Sequence, residues 1–272
     1  MKKAAFLAVL AAVLAASPAS AVVGAWGTGH KAQVRLIAAG IGEDGKLSGG
    51  IEIVLPPGWK TYWRNPGDAG VAPIVDFSKS RNLGAVDISF PVPEREDDGF
   101  AVTNIYMDRV VLPFTAEVTD RAKPVDVAAA LTIGVCDEIC VPEDVAATVA
   151  VPAGEQDASA SEMLVTAKTL IPGAPLPGEF SIDKVVRVGG TDGKPVFRFE
   201  GVVPDAANAV IFVEGPADWS PYTPKFVTGE AGRAAYTVEF SRRGSQIPIA
   251  GARFRLTVQS AGRAIDQTVA LD

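Results

Sequence analysis

Two cysteines, Cys136 and Cys140, lie in the run Gly134-Val135-Cys136-Asp137-Glu138-Ile139-Cys140-Val141-Pro142 and are the chain's only thiols. On one straight strand their Cα atoms would stand four rises of about 3.3 Å apart, roughly 13 Å, beyond the ~7 Å that a disulfide can span. A bond between them therefore requires the chain to turn. A three-residue Asp137-Glu138-Ile139 tip, with one cysteine on each strand end, brings the Cα atoms to ~4.5–5.5 Å, within disulfide reach. A single helical turn would also serve, but Pro142 and the flanking β-branched residues favour the hairpin.

Three chemistries suit such a pair: a structural staple, an exchanging redox pair, or a copper(I) dithiolate. Stapling a five-residue loop stabilises by only ~2 kcal/mol, against ~4–5 for a bridge closing about 100 residues. A unit of ~130 residues can also supply its own core. The redox pair is therefore the leading reading. Copper(I) accepts two soft thiolates, but only Met107, Met163 and one histidine lie beyond the first residues to assist. Asp137 and Glu138 beside the sulfurs disfavour thiolate, so the expected pair is slow with random disulfides and exchanges with a partner that brings its own activated thiolate. Cys140 is expected to be the sulfur attacked, because the strand ending at Val135 should pack while Val141-Pro142 is read as leaving the sheet ladder.

Other chemistry finds little support. His30 is the sole histidine and lies near the exported N-terminus, a poor place for a catalytic triad. Gly27-Thr28-Gly29 has neither the strand before it nor the helix after it that dinucleotide binding needs. Two cysteines and a distant histidine make a poor zinc set. Neither a cofactor nor a resident metal is expected.

The elements that must position the cysteines begin after a leader. Lys2 and Lys3, an apolar stretch over 4–16 and the exit Ala19-Ser20-Ala21 read as a signal peptide over residues 1–21, so the mature protein should be exported to a bacterial periplasm. No later apolar run reaches the ~18 residues of a spanning helix, so no membrane insertion of its own is expected. The formal charge is −7, from 25 Lys+Arg and 32 Asp+Glu, or −9 once Lys2 and Lys3 leave, which argues against a nucleic-acid partner.

Short apolar runs at 33–39, 47–55, 86–90 and 110–118 alternate with Gly, Pro and Asp, and 125–133 and 145–151 flank the cysteine turn. This spacing predicts a β-sandwich over 22–153. Met163, Leu164, Ala167 and Leu170, three and four apart, predict a short amphipathic helix over 159–170. The segment Pro172-Gly173-Ala174-Pro175-Leu176-Pro177-Gly178 is hostile to helix and central strand and closes a linker over 154–178. Further runs at 180–188, 196–199, 209–214, 235–240, 254–259 and 263–271 predict a second, smaller sandwich over 179–272. The sequence does not reveal what this second sandwich contributes, a spacer being one reading.

Three ordered segments together carry a resemblance: Leu55-Pro56-Pro57-Gly58-Trp59-Lys60-Thr61-Tyr62-Trp63-Arg64-Asn65-Pro66-Gly67-Asp68, then Asp97-Asp98-Gly99-Phe100 with Ile105-Tyr106-Met107-Asp108-Arg109-Val110-Val111-Leu112-Pro113, and last the cysteine run. Over about residues 30–152 the chain resembles the exported N-terminal domain of the thiol-disulfide interchange protein DsbD and its ScsB-type relatives. The resemblance implies that this first sandwich is immunoglobulin-like, and the whole chain is expected to be all-β, two immunoglobulin-like β-sandwiches joined by the short helical, Pro/Gly-rich linker. It also implies a thiol-disulfide oxidoreductase in which Cys136 and Cys140 are the exchanging pair. Phe100 would be the lid aromatic of a cap loop containing Asp98, and Tyr62 a tyrosine beside the pair. The implied partners are a membrane thiol reductase and periplasmic thioredoxin-like proteins, with other polypeptides completing the relay. The family's best-known members separate the cysteines by five residues where this chain has three.

Overall fold

The computed structural model describes residues 23–228 and 233–272. The leader read over residues 1–21 lies outside the described residues.

The first half contains β1 (Gly27–Thr28), β2 (Gln33–Ile41), β3 (Lys46–Val54), β4 (Lys60–Gly67), β5 (Ile74–Asp76), β6 (Leu83–Ile88), β7 (Glu94–Asp97), β8 (Val102–Met107), β9 (Arg109–Val118), β10 (Val125–Cys136) and β11 (Cys140–Val151). One sheet runs β1-β2-β3-β9-β6; the other runs β11-β10-β4-β8-β7 with β5 beside β10. In β11 buried and exposed residues alternate almost without a break, because one face turns inward. Leu36, Ile51, Leu112 and Phe114 from one sheet meet Trp63, Leu131, Ile133 and Val149 from the other in a common core.

Helix α1 (Ala158–Lys168) starts where the Asp157 carboxylate accepts the Ala160 N–H at 2.7 Å. It buries Ala160 and Leu164 against Ile37 and Ala39 of β2, so it is a packed element of the first half. It stops before Leu170, which lies beyond the helix and is 61% exposed. The Pro-rich segment is also anchored: Gly173 donates to Ala264 O and accepts from Asp266 N, each at 2.9 Å.

The second half comprises β12 (Ser181–Gly190), β13 (Pro195–Val202), β14 (Val210–Glu214), β15 (Ser220–Pro221), β16 (Lys225–Thr228), β17 (Ala234–Ser241), β18 (Arg253–Ser260) and β19 (Arg263–Ala270). A sheet β12-β13-β17-β15, with β16 beside β17, faces a sheet β14-β18-β19. The core between them is aromatic, with Phe197, Trp219, Phe240 and Phe254 in mutual contact.

This half is more than a spacer. Phe212 of β14 belongs to the first half's core, its ring 5.2 Å from that of Trp63. Arg95 of β7 donates to Ile211 O at 2.6 Å. Arg64 of β4 forks onto Glu214 at 2.8 and 3.0 Å and reaches Asp266 at 2.9 Å and Thr257 Oγ1 at 3.1 Å. Strands β4 and β7 and the second half are therefore joined by apolar contact, a hydrogen bond and an ion-pair network.

Val141-Pro142 corrects an expectation, because both residues stay in the ladder, opposite Val135 and Gly134. β11 is an edge strand, where a proline can lack its N–H without breaking the sheet.

Candidate functional site

The cysteines end the longest hairpin among the described residues. Cys136 closes β10, Cys140 opens β11, and the two form a register pair with Cα atoms 4.1 Å apart and sulfurs bonded. Asp137 N donates to Ile139 O at 3.4 Å across the three-residue tip. The two sulfurs have unequal surroundings because their strands do. β10 is covered on its other side by β4, with Cys136 opposite Lys60 and Val135 opposite Thr61, while β11 is at the edge. Cys136 is 0% exposed; Cys140 faces solvent.

β4 brings up Tyr62. Its hydroxyl lies 3.0 Å from Cys136 Sγ and 3.2 Å from Cys140 Sγ. Sulfurs of a disulfide carry no hydrogen, so the hydroxyl is the donor. Burial raises the Tyr62 pKa above the ordinary phenol value; Lys60 opposes that, and Glu96 and Asp98 add to it. The group therefore keeps its proton at neutral pH. Two glycines make room for the ring. A Cβ on Gly134 would lie 3.1 Å from it, and one on Gly70, whose φ is +106°, would lie 2.3 Å away. Ile105 and the half-buried Met107 complete the pocket around Cys136. Tyr106 between them turns the other way, into the core, and donates to Pro91 O at 2.7 Å.

Lys60 forms an ion pair with Glu96 on β7. Asp98 organises the loop after β7, its Oδ1 accepting the N–H groups of Phe100 and Ala101 at 2.8 Å each. Those two backbone bonds, with Lys60 adding its charge, hold the Asp98 carboxyl below the usual carboxylate range.

The structure brings Cys136, Cys140 and Tyr62 together, with Asp98 close enough to act on Tyr62 electrostatically. It does not bring Phe100 with them. That side chain is 100% exposed, so it covers nothing here, and the lid reading is corrected for this conformation. The polar contacts of its loop are made by Asp97, Asp98 and backbone, which fix the turn without seating the ring. Cys136 is shielded instead by Tyr62, Ile105 and Met107. Sequence reasoning passed over Lys60, Ile105 and Met107 as site residues, although period-2 alternation around the core residues Thr61 and Tyr106 puts all three on the disulfide's side.

Among the described residues, no group of three or more His, Cys, Asp or Glu side chains gathers as metal ligands. No helix among them is long and apolar enough to cross a membrane.

Residues 32–152 match the family described as thiol:disulfide interchange protein DsbD, N-terminal. A solved structure, the N-terminal periplasmic domain of ScsB from Proteus mirabilis, superposes with a TM-score of 0.72 at 21% identity, covering 92% of this chain and 98% of that one. The likeness in fold thus extends over both halves. No curated protein matches the chain.

Proposed function

We propose, from the match of residues 32–152 to the DsbD N-terminal family, that this protein is a periplasmic electron relay, reduced by a membrane thiol reductase in trans and passing electrons to thioredoxin-like clients. The observation that carries the reading is the asymmetry of the pair: an open Cys140, a buried Cys136, and one tyrosine hydroxyl donating toward both sulfurs. The leader-like start of the sequence supports the compartment, as does the periplasmic origin of the ScsB domain.

In the loading step, a reductase thiolate attacks Cys140 Sγ. A bond forms between those sulfurs, the Cys136–Cys140 bond breaks, and its electron pair moves to Cys136 Sγ. That thiolate accepts the Tyr62 hydrogen bond and then takes a proton from solvent. The reductase's second thiol displaces Cys140, leaving this protein as a dithiol and the reductase as a disulfide. Two electrons and two protons have moved. Delivery to a client reverses the roles, with Cys140 attacking and Cys136 resolving.

The reduction potential of the pair is the primary test. A relay should lie above ~−300 mV, whereas a permanent staple should lie below it. Tyr62→Phe keeps the packed ring and removes only the donor. A hydrogen bond to a charged group contributes about 1.5–3 kcal/mol, so opening of the disulfide by dithiothreitol should slow on the order of ten- to a hundredfold. An unchanged rate in the folded variant would remove Tyr62 from the mechanism.

A further inference from the structure

The face that carries the disulfide has charges of predominantly one sign. Glu94 pairs in register with Ile105, which pairs with Tyr62, so Glu94 stands on the same face of the sheet. Asp98 lies on the loop after β7, and Asp137 and Glu138 form the tip itself. All four are exposed, and none has a salt bridge among the described residues. Lys60, the cation opposite Cys136, is occupied by Glu96. The same two loops hold out apolar side chains, Phe100 at 100% and Ile139 at 76% exposure. The open sulfur thus lies beside one exposed apolar tip, Ile139, on a side of the sheet where acidic side chains predominate.

We infer that this edge selects its exchange partner by charge: it accepts a protein thiol set in an apolar patch ringed by lysine or arginine, and disfavours thiols in acidic surroundings. The inference rests on the exchange reading and adds the partner's surface chemistry to it. Like charges crowding a shared encounter face slow association, opposite charges speed it, and salt removes both effects. The bond changes are those of the loading step; only the encounter preceding them differs.

The test uses the oxidised protein and two short peptides, each with a single cysteine flanked by lysines or by glutamates. Each rate of disulfide opening is divided by that peptide's rate with hydroxyethyl disulfide, which cancels intrinsic thiol reactivity. The lysine peptide should be faster by about tenfold or more at ~10 mM ionic strength, and the ratio should fall to about twofold at ~0.5 M. Asp137→Asn with Glu138→Gln should lower the low-salt ratio severalfold. Equal normalised rates, or a ratio indifferent to salt, would overturn charge selection while leaving exchange intact. If neither peptide opens a bond that a phosphine does open, the exchange reading fails and the inference fails with it.

Discussion

A Cys136→Ala variant should accumulate mixed disulfides through Cys140, and Cys140→Ala should accumulate at least about tenfold less, because attack requires both thiolate character and access. Access differs between the two sulfurs. Cys140 lies on the edge strand facing solvent, whereas Cys136 is enclosed by Tyr62, Ile105 and Met107. In Cys136→Ala the resolving thiol is gone, so a partner captured at Cys140 stays attached. In Cys140→Ala the remaining thiol is buried. Non-reducing electrophoresis of each variant from periplasmic extract, followed by mass spectrometry of the shifted bands, reads the difference. Equal trapping by the two would reject the assignment of Cys140 as the entry sulfur. No trapping by either, together with tight copper(I) binding by the reduced wild type, would replace the relay with a metal carrier.

Arg64→Ala should lower the free energy of unfolding by about 2–4 kcal/mol, the range for breaking an ion pair that is mostly, though not wholly, out of water. The Arg64 side chain is only 12% exposed and serves Glu214 and Asp266 together. Removing it leaves two largely buried carboxylates near one another, with Arg255 still on Asp266. The guanidinium also stacks over Trp63, 4.1 Å from the ring centroid, and Trp63 in turn meets Phe212. Urea denaturation of the oxidised protein would measure the loss. Adding Glu214→Gln and Asp266→Asn to Arg64→Ala should recover part of it, since the orphaned charges are then neutral. No recovery would assign the cost to lost stacking instead of to unpaired charge.

The cysteine hairpin was legible because β10 alternates over Val125–Ile133 and β11 along its length, and because a disulfide at that spacing forces a turn. The opposing strand β4 was not. It contains Trp63-Arg64-Asn65-Pro66-Gly67, and its pairing with β8 shifts register between Tyr62 and Gly67, so neither propensity nor period marks it. β7 reads as a charged loop because its residues are Glu94-Arg95-Glu96-Asp97; pairing with β8 makes it a strand. Tyr62 was reached by family resemblance, and its contact with both sulfurs depends on Gly70 and Gly134, which are far apart in sequence. Arg64 meets Glu214 across 150 positions. No local pattern encodes such a contact, and the second half's contacts with β4 were correspondingly invisible.

Twelve register pairs hold β10 to β11, from Val125 opposite Val151 to Cys136 opposite Cys140. Breaking the sulfur bond removes one covalent tie from a hairpin that the ladder already holds closed, so the two thiols remain neighbours. Each then faces the other at a high effective concentration, and oxidation back to the disulfide requires no search by the backbone. On the relay reading, the β10–β11 ladder is therefore expected to be common to the oxidised and reduced forms. A partner that distinguishes the two forms is then expected to read the sulfurs and the bond between them and not the fold of the hairpin.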